Sequence, residues 1–377
     1  MSSAPPILRG LLCAGACLLL LALTRGQCIT AYPQLEDFEG VPSWTIAGTL
    51  PDWAWGTPAH PLINTAGGGV NSWCVGGLTG SFYNLGEQSW IESGCYDMST
   101  LDHPWISFKI FWEVERDYDG INWQYCLNGG ATWSNVGAFG DPVDCLNDNW
   151  FNHANILNIT AAFPKNGWSG RVGATAGSCV GGSGSGAWVE AKHCLPAACA
   201  NQPDVRFRFL FGAGTTCNSY DGVAIDDVLV QEAPPTLADF TYLCTGSTVT
   251  FSNTSSSCPT TYAWNFGDPA SGAANTSALA DPVHAFSGPG SYVVTLTANG
   301  PCSDPGTTTV AIEIASVTIA VTDPLCDGST GSMSAIVSGI SGPVAYSWSP
   351  GGATSATITG LGTGSYTVTV SSASGCT

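Results

Sequence analysis

Charge is what this chain has least of. Only 10% of its 377 residues are charged, nine are basic, and the last of these is Arg208, so residues 209–377 carry no Lys or Arg at all. With a net charge of -19 there is no basic stripe to neutralise phosphates, which excludes nucleic acid as a partner. The negative surplus suits a solvated extracellular surface or cation binding. Glu and Lys are also what exposed helix faces need, and their scarcity beside 47 Gly favours strands and turns over helices. Catalytic signatures are thin as well. His60, His103, His153, His193 and His284 stand apart, with no HExxH spacing and no nucleophile motif beside them.

Residues 1–26 combine Arg9, an apolar run over 11–23 and a small-residue exit at Thr24-Arg25-Gly26. The run is too short to span a bilayer comfortably and no stop-transfer charges follow, so a cleaved signal peptide is expected, leaving no transmembrane segment in the mature chain. Cys17 lies inside the run and Cys28 follows Gln27, neither of them a lipoprotein anchor position. Removing Cys13 and Cys17 leaves 14 of the 16 cysteines, an even number in an exported chain, and no CxxC occurs. Disulfides are expected rather than zinc.

Residues 105–115 (WISFKIFWEVE) alternate, with Ile106, Phe108, Ile110, Trp112 and Val114 on one face. Residues 205–211 (VRFRFLF) repeat the pattern with Arg206 and Arg208 outward, and Asn128-Gly129-Gly130 supplies a hairpin turn between residues 121–127 and 131–136. Several strands with long loops in this segment favour a β-sandwich. Phe38-Glu39-Gly40, Asp52-Trp53-Ala54-Trp55-Gly56, residues 90–99 (WIESGCYDMS), Gly129-Gly130-Ala131-Thr132-Trp133 and residues 222–228 (GVAIDDV) together resemble a MAM-like jelly-roll module over residues 27–232. The resemblance implies adhesion or ligand binding without naming a ligand.

Residues 233–237 form a Pro-containing linker. From 238 to 314, Trp264-Asn265-Phe266-Gly267-Asp268, His284-Ala285-Phe286 and Gly290-Ser291-Tyr292 are similar to a PKD domain, a small immunoglobulin-like sandwich, with Gly267-Asp268-Pro269 where the family usually has GDG. Residues 315–377 resemble an SprB-type repeat of gliding-motility adhesins, through Cys326-Asp327-Gly328, Tyr346-Ser347-Trp348, residues 360–366 (GLGTGSY) and Gly375-Cys376. That family implies a surface protein of Bacteroidota exported by type IX secretion. The fold expected is therefore all-β: a jelly-roll β-sandwich followed by two small immunoglobulin-like β-sandwich modules. No sorting domain is visible, and a fragment of a longer protein is the expectation.

Several residues are candidates for function. Loop tryptophans Trp53, Trp55 and Trp73 lack strand periodicity and are the expected platform for stacking on sugar rings. Alternation places Asp226 and Asp227 on opposite faces of one strand, one of them facing an apolar interior; with Glu36, Asp37 and Glu39 brought near by neighbouring first and last strands, they are candidate ligands of a structural Ca²⁺, the alternative being a hydrogen-bonded structural aspartate. Glu113 and Glu115 alternate onto one strand face, as paired glycosidase acids do. From the module motifs, Cys326 is expected to pair with Cys376 and Cys244 with Cys302, leaving Cys258 for a bridge between domains. The function expected is adhesion, or binding of an extracellular carbohydrate or glycoprotein, through the jelly roll. The alternative is an ancillary part of a secreted polymer-degrading enzyme, its catalytic centre missing from the chain or at Glu113/Glu115.

Overall fold

The computed structural model describes residues 28–80, 82–256, 258–323, 330–372 and the backbone of 375–376. The signal-peptide expectation and the Cys326–Cys376 pairing lie outside the described residues. Within them the chain is all-β, as its composition predicts; the helical segments are the 3₁₀ turns Ala197–Cys199 and Pro269–Asn275.

The first eleven strands are β1 (Gln34–Glu36), β2 (Thr45–Thr49), β3 (Ala54–Gly56), β4 (Ser72–Cys74), β5 (Gln88–Glu92), β6 (Pro104–Glu113), β7 (Gly120–Cys126), β8 (Ser134–Asn135), β9 (Val189–Cys194), β10 (Arg206–Gly212) and β11 (Gly222–Glu232). They form two antiparallel sheets, β3-β4-β11-β6-β9 with β1 also on β11, and β2-β5-β10-β7-β8. The alternating face of β6 (Ile106, Phe108, Ile110, Trp112) packs against Trp123, Phe207, Phe209 and Phe211 of the opposite sheet. Phe108 meets Phe209 edge-on at 4.9 Å between ring centroids. Burying each such side chain stabilises by about 1.5–3 kcal/mol. The hairpin across Asn128-Gly129-Gly130 forms as expected, Gln124 opposite Asn135.

Alternation fails in β11. Val223 and Ile225 point into the core, and so do Val228 and Val230, because the register against β6 shifts between Asp226 and Leu229 and Asp227 takes a φ of 48°. This β-bulge inserts an extra residue. Neither Asp226 nor Asp227 therefore points into the sandwich core, contrary to the strict period of two. The expected adjacency of first and last strands is present: β1 pairs with β11, Glu36 opposite Val228.

Seven strands follow: β12 (Phe240–Thr245), β13 (Thr248–Asn253), β14 (Thr261–Asn265), β15 (Thr276–Ser277), β16 (Val283–Ala285), β17 (Gly290–Asn299) and β18 (Gly306–Ile314). Sheets β12-β13-β16 and β15-β14-β17-β18 enclose Phe251, Trp264, Phe266, Val294 and Leu296. The remaining strands are β19 (Ser316–Thr322), β20 (Gly331–Ser338), β21 (Val344–Ser349), β22 (Thr357–Leu361), β23 (Thr367–Ser372) and β24 (Gly375–Cys376). Trp348, Ala335 and Ile358 centre that smaller core, and β24 returns to pair in parallel with β18.

Cys258 does bridge between domains, to Cys145. Cys302 bonds Cys194 in the first sandwich, so it does not pair with Cys244, which is itself disulfide-bonded. The close approach of the β9 end to the second sandwich decides this: Trp105, Leu146, Ala233 and Cys302 share one buried cluster at the junction. Cys28–Cys95 and Cys179–Cys217 lie within the first sandwich.

Candidate binding site

Of the five acids expected to hold calcium, Asp226, Asp227 and Glu39 meet the loop of residues 66–71. Asp226 is buried and its Oδ2 accepts the Gly68 N–H at 2.9 Å, while its Oδ1 accepts the Asp227 N–H at 2.8 Å. Burial pushes its carboxyl up to about 6, against those backbone hydrogen bonds. Glu39 Oε1 accepts from Val70 N at 2.7 Å and Asn71 N at 2.9 Å, and Asp37 Oδ1 accepts from Glu39 N at 3.1 Å. Lys109 Nζ lies 2.8 Å from Asp227 Oδ2 and donates to the Gly67 carbonyl at 2.8 Å. Glu36, half-buried, has its carboxyl raised by desolvation. The loop fits this tightly because Gly67 has no side chain: an added Cβ would stand 2.9 Å from Trp188 and 3.0 Å from Asp226 and Lys109. Among the described residues no three of the five carboxylates bring oxygens within 4.8 Å of one another. Their lone pairs go to amides and to an ammonium, a clasp in which the Lys109 charge sits on Asp227. The sulfur-containing clusters, Cys28/Cys95/Asp204 and Glu115/Cys179/Cys217, each contain a disulfide and offer no thiolate.

The tryptophans resolve differently from expectation. Trp53 and Trp73 are each 5% exposed and belong to the sandwich core, Trp53 donating Nε1 to Ser89 Oγ at 2.9 Å. Trp55 is half-buried and donates to the Phe38 carbonyl at 2.7 Å. Trp53 precedes β3, whereas Trp55 and Trp73 stand opposite each other on the three-residue strands β3 and β4, too short for periodicity to reveal.

Glu113 and Glu115 are buried, and burial raises both carboxyls. Glu113 Oε2 accepts from Val172 N at 2.8 Å and Glu115 Oε1 from Val180 N at 3.1 Å. They brace the segment leading to the Cys179–Cys217 disulfide and present no open face to a polymer.

Sequence reasoning missed an open cleft of about 450 Å³ at one end of the first sandwich, lined among others by Trp112, Phe139, Asp141, Val143, Asp148 and Trp150. Phe139 is 50% and Val143 79% exposed. The cleft loop is built by short-range capping: Asp144 Oδ1 accepts from Leu146 N and Asn147 N, and Asp141 Oδ2 accepts from Ala138 N at 2.7 Å. Trp150 donates Nε1 to the Val136 carbonyl at 2.8 Å and packs on Phe151, Trp168 and His193. His193 in turn places its Nε2 2.9 Å from Asp141 Oδ2. Cys145, in the same loop, is the residue bridged to Cys258. The cleft wall is thus pinned from both sides. The run of Asp and Asn over residues 141–152 was the only signal for it, and it reads equally as an ordinary polar loop.

The PKD-domain family matches residues 232–314. Within this segment Asp268 is buried, its Oδ2 accepting from Ser287 N at 2.8 Å beside His284 Nε2 at 3.1 Å, and the two sheets close around their core with Pro269 in the turn. A solved PKD1 domain of the Vibrio cholerae metalloprotease PrtV is 31% identical, covering 22% of this chain and 98% of that one, with a TM-score of 0.20. The K1 cleaved adhesin domain of Lys-gingipain from Porphyromonas gingivalis is 16% identical, covering 54% of this chain and 100% of its own, with a TM-score of 0.29. The Endo-D glycoside hydrolase domain from Streptococcus pneumoniae is 8% identical over 72% of this chain and 37% of its own, TM-score 0.27. No curated protein matches the chain. The disulfides place the folded chain in an oxidising compartment, and no helix among the described residues is long and apolar enough to cross a membrane.

Proposed function

We propose that this chain is an extracellular, cell-surface binding protein of the adhesive kind, in which the MAM-like first sandwich takes a glycan or glycoprotein and the PKD and SprB-type modules act as spacers or further binding units. The observation that carries the reading is the cleft beside Trp150 and Phe139: exposed aromatic and aliphatic surface next to Asp and Asn side chains, on a loop fixed by a disulfide to the next domain. Apolar ring faces suit the C–H faces of sugars, and a few fixed polar groups orient the hydroxyls. A loop already held in place loses little entropy on binding.

The test is a panel of glycans and glycoproteins against the mature chain, followed by Phe139→Ser. Both Phe139 and Val143 are solvent-facing, so the variant should fold normally and bind its best ligand roughly tenfold more weakly. Binding undiminished in Phe139→Ser moves the site away from this cleft. A folded chain that retains no glycan or glycoprotein sinks the reading.

A further inference from the structure

The outer face of the β2-β5-β10-β7-β8 sheet carries one polar row. Register places Thr45, Glu92, Arg208, Gln124 and Asn135 side by side across all five strands, with their neighbours Ile91, Phe209 and Trp123 turned to the core. Arg208, in the middle, is 6% exposed. Its guanidinium lies between two indoles, 4.8 Å from the Trp90 ring centroid and 4.4 Å from that of Trp133. The β7–β8 hairpin folds Trp133 into this position, and its Nε1 donates to the Gly130 carbonyl at 3.1 Å.

Arg208 makes no ion pair within contact distance, and the Glu92 charge beside it in the row only partly offsets its desolvation. Nε donates to Gln124 Oε1 at 2.7 Å, and among the described residues its two Nη groups meet no acceptor. The contact-distance ion pairs go to the neighbouring cation: Arg206 Nε lies 3.2 Å from Asp204 Oδ1, and Arg206 Nη1 3.8 Å from Glu92 Oε1, so that Glu92 stands between both arginines. Desolvation lowers the Arg208 pKa to about 10, so it stays charged at neutral pH. A charged, nearly buried fork with no carboxylate bonded to its Nη groups is left to be completed by a ligand or by solvent at its Nη edge. Trp133 is half-buried, and Trp90 carries a second unfilled donor, its Nε1.

We propose that the Trp90–Arg208–Trp133 sandwich is a second binding site, for the carboxylate of a terminal acidic sugar. A planar guanidinium held over two indole rings offers two parallel N–H···O bonds to a planar carboxylate, a geometry that an ammonium does not offer. The outer part of Trp133 supplies the apolar plate for the sugar ring. The chain's net charge of -19 repels polyanions, so the ligand is a glycan ending in a single carboxylate, not a polyuronate.

The experiment titrates the mature chain with a glycan ending in one uronic or sialic acid, with the same glycan carboxyl-reduced to the alcohol, and with a polyuronate. The acidic glycan should bind roughly tenfold or more tightly than its reduced form and more tightly per residue than the polyuronate. Trp133→Ala should weaken it by a similar factor with an unchanged melting curve. Arg208→Lys, which keeps the charge and loses the fork, should abolish the preference for the acid. Equal affinity for the acidic and reduced glycans overturns the proposal, and so does failure of a folded chain to bind the acid. Displacement of the glycan by peptides with a free C-terminal carboxylate, at matching concentration, overturns its assignment to sugars.

Discussion

Glu87 shows how a single side chain can tie this sandwich to pH. It is fully buried beside Asp52, and its Oε1 accepts the Asp52 N–H at 3.2 Å and the Ser89 hydroxyl. Burial first, and then the charge of Asp52, push its carboxyl up to about 9. A folded-state value above the unfolded one means that the native chain holds the proton longer. The stabilisation is complete below the unfolded value near 4.5 and is lost as pH rises from there through about 9. Glu87→Gln keeps the shape without the titration. Denaturant unfolding of wild type and variant between pH 5 and 9 should therefore show the difference moving steadily in favour of Gln as pH rises. A difference independent of pH would mean that Glu87 ionises in the native state as freely as in the unfolded one.

The element that organises the first sandwich is the clasp where the bulged β11, the end of β1 and the glycine loop meet. Lys109 stands opposite Asp226 in the ladder and reaches Asp227 because the bulge brings that residue to the same outer side. Both partners of the ion pair are partly exposed, so the pair itself is worth about 1 kcal/mol or less, and the hydrogen bond to the Gly67 carbonyl adds a similar amount. Lys109→Met should cost about 1–2 kcal/mol and speed amide exchange at Gly68 and Val70. Since an ammonium already neutralises Asp227, melting curves in excess chelator and in excess calcium should superimpose. A rise of several degrees with calcium, lost in Asp226→Asn, would restore the hard-oxygen reading of these acids.

At the scale of the whole molecule, two disulfides run beside the linker rather than along it. Cys145–Cys258 and Cys194–Cys302 span 113 and 108 residues, and closing loops of that length stabilises by ~4–5 kcal/mol each in the chain-entropy model. Thr236 and Ser303 share a hydrogen bond of 2.7 Å at the same junction, and Cys302 of the second sandwich packs against the Trp105, Leu146 and Ala233 cluster. The first sandwich and the PKD domain should accordingly unfold in one calorimetric transition, and replacing all four cysteines by Ser should split it in two. Non-reducing peptide maps should recover both pairs. Recovery of Cys244 linked to Cys302 would contradict the junction.

Alternation along β6 and β10 and the Asn-Gly hairpin were readable in the sequence, because successive side chains point to opposite faces and the inward face takes the large apolar residues; that both strands are also covered on their outer faces was not. The PKD motifs were readable for the same reason, being core and turn positions of one short unit. Three cysteines in the second module pointed to a bridge leaving it, but the pairing that singled out Cys258, Cys244 with Cys302, does not form: Cys302 leaves the module as well. Tertiary structure alone decided the rest. A bulge of one residue re-aimed Asp226 and Asp227 without changing a letter of the local pattern. The three-residue strand β4 hid Trp73 in the core, as so few residues show no period, and Trp53 is buried from the irregular segment before β3. The cleft at Trp150 and the Arg208 sandwich draw on strands and loops far apart in the chain, and their chemistry depends on distances that no local spacing encodes.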